Sequence, residues 1–174
     1  DINQQRAEGE ALDIAHGMPY YKPMNIYAGT YEDLADANIV IITAGVNQKP
    51  GETRLDLVQK NTAIFKTIIP EITKTSFSGI LLVISNPVDI LTYVTLKLSE
   101  YPTNRSGTVL DSARLKCVIG ERLDVDPRNV HARIVGEHGD SEFVLWSLAN
   151  VSGVPINQYC ELLGHFDHEE SMKE

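Results

Sequence analysis

Ile39-Val40-Ile41-Ile42-Thr43 and Ile80-Leu81-Leu82-Val83-Ile84 are two short runs, β-branched or leucine at nearly every position. A strand with one wet face alternates apolar and polar residues, whereas a strand of a parallel sheet covered on both sides does not. The uniformity of Ile39 to Thr43 therefore predicts a strand buried on both faces. Between the runs Leu55, Val58, Thr62, Phe65, Ile69 and Ile72 recur at helical spacing. That spacing predicts a helix of about twenty residues, bent or ended near Pro70. Strand, amphipathic helix, strand is the unit of a parallel sheet wrapped by helices, and its ligands bind at the carboxyl ends of the strands.

The rest of the chain extends this pattern in both directions. Residues 4 to 16 set Ala7, Ala11 and Ala15, with Leu12 and Ile14, against a charged face, and Gly17 ends that helix. Asn25 to Ala28 is a short strand by the same reading, and Thr30 to Asp33 a capping-box helical turn. Asn86-Pro87-Val88-Asp89 reads as N-cap, first-position proline and first-turn acid of a helix reaching about Leu98. Pro102, Asn104 and Gly107 then cluster and the alternation stops, which divides the chain into 1–106 and 107–174. In the second part Thr108 to Leu110 reads as a strand and Asp111 as the cap of a helix from Ser112 to about Leu123. Val130 to Val135 and Glu142 to Ser147 read as further strands, and a helix starts after Pro155 with no visible end.

Composition narrows the function. A net charge of −9 over 174 residues, with an isoelectric point near 5.0, opposes a nucleic-acid binder, which needs a basic face for phosphates. Cys117 and Cys160 are isolated thiols, expected to be inert packing residues in a reducing cytoplasm. No apolar run approaches the length of a membrane span, and no signal peptide opens the chain. Neither a G-x-S-x-G elbow nor a metal-spaced histidine pair is present, so neither a hydrolase nor a metal site is expected.

Four stretches place polar groups at strand ends or helix starts. They are T-A-G-V-N-Q-K-P-G-E-T-R-L-D-L from Thr43, S-N-P-V-D from Ser85, L-D-S-A-R from Leu110 and G-E-H-G-D from Gly136. His138 stands between Gly136 and Gly139 after a strand-like run, and histidine gives or takes a proton near neutral pH. Singly, Asn86 and Asp111 read as helix caps, and Arg54 and Arg114 as solvated charges.

Together these stretches resemble the lactate and malate dehydrogenase family, on its lactate dehydrogenase side, over essentially the whole chain from D-I-N-Q-Q-R-A-E-G-E-A-L-D-I-A-H-G at Asp1. The resemblance implies a Rossmann-type doubly wound parallel sheet over 1–106, binding NAD, and the start of an α+β catalytic domain over 107–174. It also implies a first strand and glycine-rich turn ahead of Asp1, and a subunit of roughly 300 residues or more. The 174-residue piece alone is then expected to be inactive.

The resemblance implies these roles. His138 exchanges the proton, Asp111 orients it, and Arg54 polarises the substrate carbonyl from a loop bracketed by Pro50 and Gly51. Arg114 clamps the substrate carboxylate, Asn86 and Asp89 help hold the substrate, and Gln48 faces its far end. Asp1 accepts the adenosine ribose hydroxyls, a placement that selects NAD over NADP. Tyr31, Gly45, Val46 and Thr67 line the cofactor, with Arg6, Ile84, Ser85, Asn86 and Ser106 beside them. Lys116 and His131 match a fructose 1,6-bisphosphate site of bacterial members, except that lysine stands where they have arginine. The family also implies the last step of anaerobic glycolysis or lactate fermentation, a cytoplasmic location and a homotetramer. The rival readings are a malate or other L-2-hydroxyacid dehydrogenase, separated by residue 48, and a non-catalytic NAD-fold binding protein.

Overall fold

The computed structural model describes residues 1–164, which fall into two compact units, the chain dividing between Arg105 and Ser106. What lies beyond residue 164 in the expected 107–174 division is outside the described residues.

The first unit holds α1 (Gln4–Ala15), β1 (Ile39–Ile42), α2 (Arg54–Thr73), β2 (Ile80–Val83), α3 (Val88–Ser99) and β3 (Thr103–Arg105). Its three strands are parallel in the order β1-β2-β3, with Ile39 opposite Ile80 and Leu81 opposite Thr103. β1 and β2 are thus each followed by a helix that carries the chain to the next strand, the Rossmann-type pattern the two apolar runs predict. α2 begins with a capping box, Thr53 with Asp56, and passes through Pro70 to end one turn later. Phe65, Ile69 and Ile72 from α2 meet Ile42, Leu81, Val83, Val88 and Leu91 in one core. Phe77 and Tyr101 close its edge with ring centroids 5.6 Å apart at 88°.

β1 is not buried on both faces. Ile42 is buried, but Ile39 and Ile41 are 57% and 56% exposed, and Ile80, across from Ile39, is 40% exposed. The reason is that the core lies on one side of the sheet, and no buried residue comes from α1, where Leu12 and Ile14 remain exposed. Asn25 to Ala28 is not a strand, since no neighbouring strand pairs with it in a hydrogen-bonded ladder. Asn86 does not cap α3; Pro87 holds that position without a side-chain cap.

The second unit holds α4 (Val109–Leu123), β4 (Val130–His131), β5 (Ile134–Val135), β6 (Phe143–Val144), β7 (Asn150–Val151), β8 (Val154–Pro155) and α5 (Ile156–Leu162). β4, β7 and β8 form one antiparallel sheet, and β5 and β6 form a hairpin. Ile119 and Leu123 of α4 pack with Val130, Ala132, Val151 and Ile156. The expected strand at Thr108 to Leu110 is helix instead: Thr108 precedes α4, and Asp111 sits inside its first turn rather than capping it. Val130 to Val135 is two short strands, and Glu142 to Ser147 is β6 running into a helical turn at Trp146–Leu148. Cys160 is buried, and burial raises its thiol above the ordinary range; Cys117 is exposed, so the expected packing role fails there. Among the described residues no helix is long and apolar enough to cross a membrane.

Candidate active site

In the second unit, two hydroxyls stitch the start of α4 to β5. Thr108 Oγ1 donates to the Ile134 carbonyl at 2.7 Å, and Ser112 Oγ accepts from the Ile134 N–H at 2.9 Å. Asp111 lies between these stitches in sequence, and His138 follows β5 by three residues. Gly136 and Gly139, with φ of +112° and +147°, make the reversal that returns the chain to β6. The carboxylate and the imidazole meet as a result: His138 Nδ1 stands 2.9 Å from Asp111 Oδ2. Asp111 is buried, and its other oxygen receives Arg114 Nη1 at 3.2 Å. The Arg114 side chain is 68% exposed, so it retains donors for an incoming anion.

A third side chain joins them that the sequence pattern did not single out. Glu142 Oε2 lies 3.5 Å from the same His138 Nδ1. The three donor atoms fall within 4.8 Å of one another, so a proton or a cation could sit among them. A carboxylate on Nδ1 keeps a proton there and leaves Nε2 as the nitrogen that exchanges protons with a ligand. Lys116 is half-buried on α4 and His131 is exposed on β4, two elements that pack together.

In the first unit the ends of β1 and β2 are tied by a residue also missed, Asn61. It is 1% exposed, and its Oδ1 accepts from the Val46 N–H at 2.8 Å while its Nδ2 donates to the Asn86 carbonyl at 2.7 Å. A Cβ at Gly45 would stand 3.3 Å from this amide, so the loop needs glycine there to approach so closely. Ser85 Oγ adds a bond to the Ala44 carbonyl at 2.6 Å. The signal for Asn61 was its position: it occupies the apolar stripe four residues before Phe65. Asn61→Leu should leave the Val46 N–H and Asn86 carbonyl without partners and cost about 2–4 kcal/mol, read as a lower denaturation midpoint.

The other expected positions fall as follows. Arg54 is the first residue of α2, not a loop residue, so its backbone is anchored by the Thr53 cap. Gln48 is exposed and donates from Nε2 to the Glu52 carbonyl at 2.6 Å. Glu52 is also held by Lys60, whose ammonium, with the Lys49 N–H, keeps its carboxyl below the ordinary range. Asp89 receives Arg105 Nε at 2.7 Å, an ion pair between α3 and β3. Asp1 accepts from the Asn3 N–H at 2.9 Å and lies 3.8 Å from Arg6 Nε. Tyr31, Val46 and Ile84 present exposed apolar surface, Thr67 is exposed on α2, and Ser106 is half-buried where the second unit begins. Val46 and Ile84 follow the carboxyl ends of two parallel strands and present apolar surface there, which fits a dinucleotide.

Residues 1–107 match the model of the lactate/malate dehydrogenase NAD binding domain, and residues 108–173 match that of the lactate/malate dehydrogenase alpha/beta C-terminal domain. The chain belongs to the lactate/malate dehydrogenase family. Within this family it is 53% identical over 177 residues to an L-lactate dehydrogenase of Thermoanaerobacterium saccharolyticum, covering 100% of this chain and 57% of that one. With an L-lactate dehydrogenase of Acetivibrio thermocellus it shares 58% identity over 164 residues, covering 92% of this chain and 52% of the other. A crystal structure of a lactate dehydrogenase enzyme from a Medee basin deep-sea metagenome library superposes with a TM-score of 0.91 at 49% identity, covering 99% of this chain and 57% of that one. The minor L-lactate dehydrogenase of Enterococcus mundtii, in its ligands-bound form, gives 0.90 at 48% identity, covering 98% and 56%. The chain therefore spans about half the length of the family members it matches.

Proposed function

We propose that the complete subunit is an NAD-dependent L-lactate dehydrogenase interconverting pyruvate and L-lactate. The observation that carries this reading is the buried Asp111 carboxylate 2.9 Å from His138 Nδ1, with Arg114 one helical turn further along α4. Bound NAD would supply the hydride chemistry. This chain's residues would supply the proton and the grip. His138 gives its Nε2 proton to the oxygen of the ketone as it is reduced and takes it back in the reverse direction, while Asp111 stabilises the cationic ring. Arg114 pairs with the substrate carboxylate, and Arg54 stabilises charge growing on the carbonyl oxygen. Asn86 and Asp89 complete the substrate contacts. Asp1, Arg6, Tyr31, Gly45, Val46, Thr67, Ile84, Ser85 and Ser106 hold the cofactor, with its domain ending at 106 and the substrate domain running from 107.

An assay of the complete subunit for pyruvate-dependent NADH oxidation tests the reading. Preference for oxaloacetate would move the assignment to malate dehydrogenase. NADH binding without turnover would favour a non-catalytic binding protein.

The same reading makes the protein a cytoplasmic homotetramer of lactate fermentation, with Lys116 and His131 receiving fructose 1,6-bisphosphate. Lys116→Ala should raise the effector concentration needed for half-activation by about tenfold, since a charge-assisted contact is lost. A wild-type enzyme indifferent to the effector would remove the site.

A further inference from the structure

We propose that Glu142 is a second carboxylate partner of His138, a positioning residue that joins Asp111 in holding the proton on Nδ1. The inference rests on the reading of His138 as the proton donor. It starts from the backbone. β5 and β6 pair with Ile134 opposite Val144 and Val135 opposite Phe143, so Glu142 is the last residue before the returning strand. The Glu142 N–H donates to the Gly139 carbonyl at 3.2 Å. A Cβ at Gly136 would stand 3.1 Å from the Ser141 carbonyl oxygen and 3.3 Å from the Glu142 Cα. The turn is thus pinned at both ends, and the direction in which Glu142 leaves the backbone is fixed.

The side chain then turns inward. Glu142 Oε2, Asp111 Oδ2 and His138 Nδ1 are all buried atoms. Oε2 stands 3.5 Å from Nδ1, and Oδ2 stands 2.9 Å from it. Two carboxylate oxygens this close repel unless positive charge lies between them, and the protonated ring supplies it. Asp111 is the nearer charge at 2.9 Å, Glu142 stands 3.5 Å away, and both act on the ring through their field. The charges facing the ring from α4 are Asp111 and, through it, Arg114. From the hairpin they are Glu142, with Glu137 and Asp140 exposed on the same turn. The balance is negative, and Glu142 reaches the imidazole at 3.5 Å.

The sign of its effect follows. A carboxylate beside the ring favours the cation, so its removal makes the ring lose its proton at lower pH. In the complete enzyme carrying Glu142→Gln, the alkaline fall of kcat/KM for pyruvate should move to lower pH, while NADH affinity stays within about twofold. Glu142→Asp, which keeps the charge, should restore most of the profile. The ring titration of His138 followed by NMR in the same variants reads the effect without turnover. Normal turnover with neither the profile nor the titration moved overturns the proposal. A moved titration in a protein that does not reduce pyruvate sustains it and overturns the dehydrogenase reading instead.

Discussion

Asp111→Asn in the complete enzyme should lower pyruvate turnover by about three to four powers of ten, with NADH affinity nearly unchanged. The magnitude follows by analogy with the buried carboxylate of a serine-protease triad, where the same substitution leaves geometry intact and spoils the tautomer. Here Oδ2 faces His138 Nδ1 at 2.9 Å, and Oδ1 receives Arg114 Nη1 at 3.2 Å. An amide is neutral, so it cannot stabilise the imidazolium. It would also loosen Arg114, which should raise KM for pyruvate beside the fall in kcat. Thr108 and Ser112 still tie α4 to β5, so the fold should survive. Single-turnover kinetics with NADH and pyruvate, and a thermal melt, separate the two roles. Unchanged turnover with a lower melting temperature would reduce Asp111 to a first-turn helix residue.

How far such a pair could be read in advance depended on what kind of force makes it. His138 and Asp111 each sit beside a local signal, a glycine-flanked turn and a helix start, but only the family resemblance brought the two together. Glu142 was not legible, because strand-like Glu142 to Ser147 gives no hint that its first residue turns back onto a histidine four positions earlier. That contact needs the β5-β6 hairpin, a tertiary fact. Asn61 was hidden differently: a polar residue in an apolar stripe looks like a break in the pattern until the two loop ends it bridges are known.

The fold shows the same division. β1, β2 and α2 follow from β-branched runs and a helical period, forces local to each segment. Thr108 to Leu110 was misread because Thr and Val suit a strand, yet this segment enters α4 and Thr108 is stitched sideways to Ile134. Burial of β1 was overstated for a related reason. Uniform apolarity records which surfaces a sequence can cover, while exposure of Ile39 and Ile41 depends on which elements lie over them.

Gln48→Arg should swing the ratio of kcat/KM for pyruvate over oxaloacetate toward oxaloacetate by at least about a thousandfold, on the order of 4 kcal/mol. Gln48 stands six positions before Arg54, on the segment between β1 and α2. Arg54 is fixed on the first turn of α2, so the adaptable part is the stretch before it. Within that stretch Glu52 is tied to Lys60 of α2 by a 2.5 Å ion pair, and Gln48 Nε2 donates to the Glu52 carbonyl at 2.6 Å. Turning the Gln48 amide toward a ligand gives up that one neutral hydrogen bond, about 1 kcal/mol, which a closing loop can offset. A neutral amide tolerates the methyl group of pyruvate, but the second carboxylate of oxaloacetate would be left beside it as an unpaired charge out of water. An arginine reverses both terms: it pairs with the dianion, and with pyruvate its own charge goes unpaired. The two reversals together, rather than either alone, give the size of the swing. Steady-state kinetics with both keto acids on the wild type and the variant measure it. If the ratio moves less than about tenfold, the amide stays turned back on Glu52 and the choice of pyruvate over oxaloacetate is made by other residues.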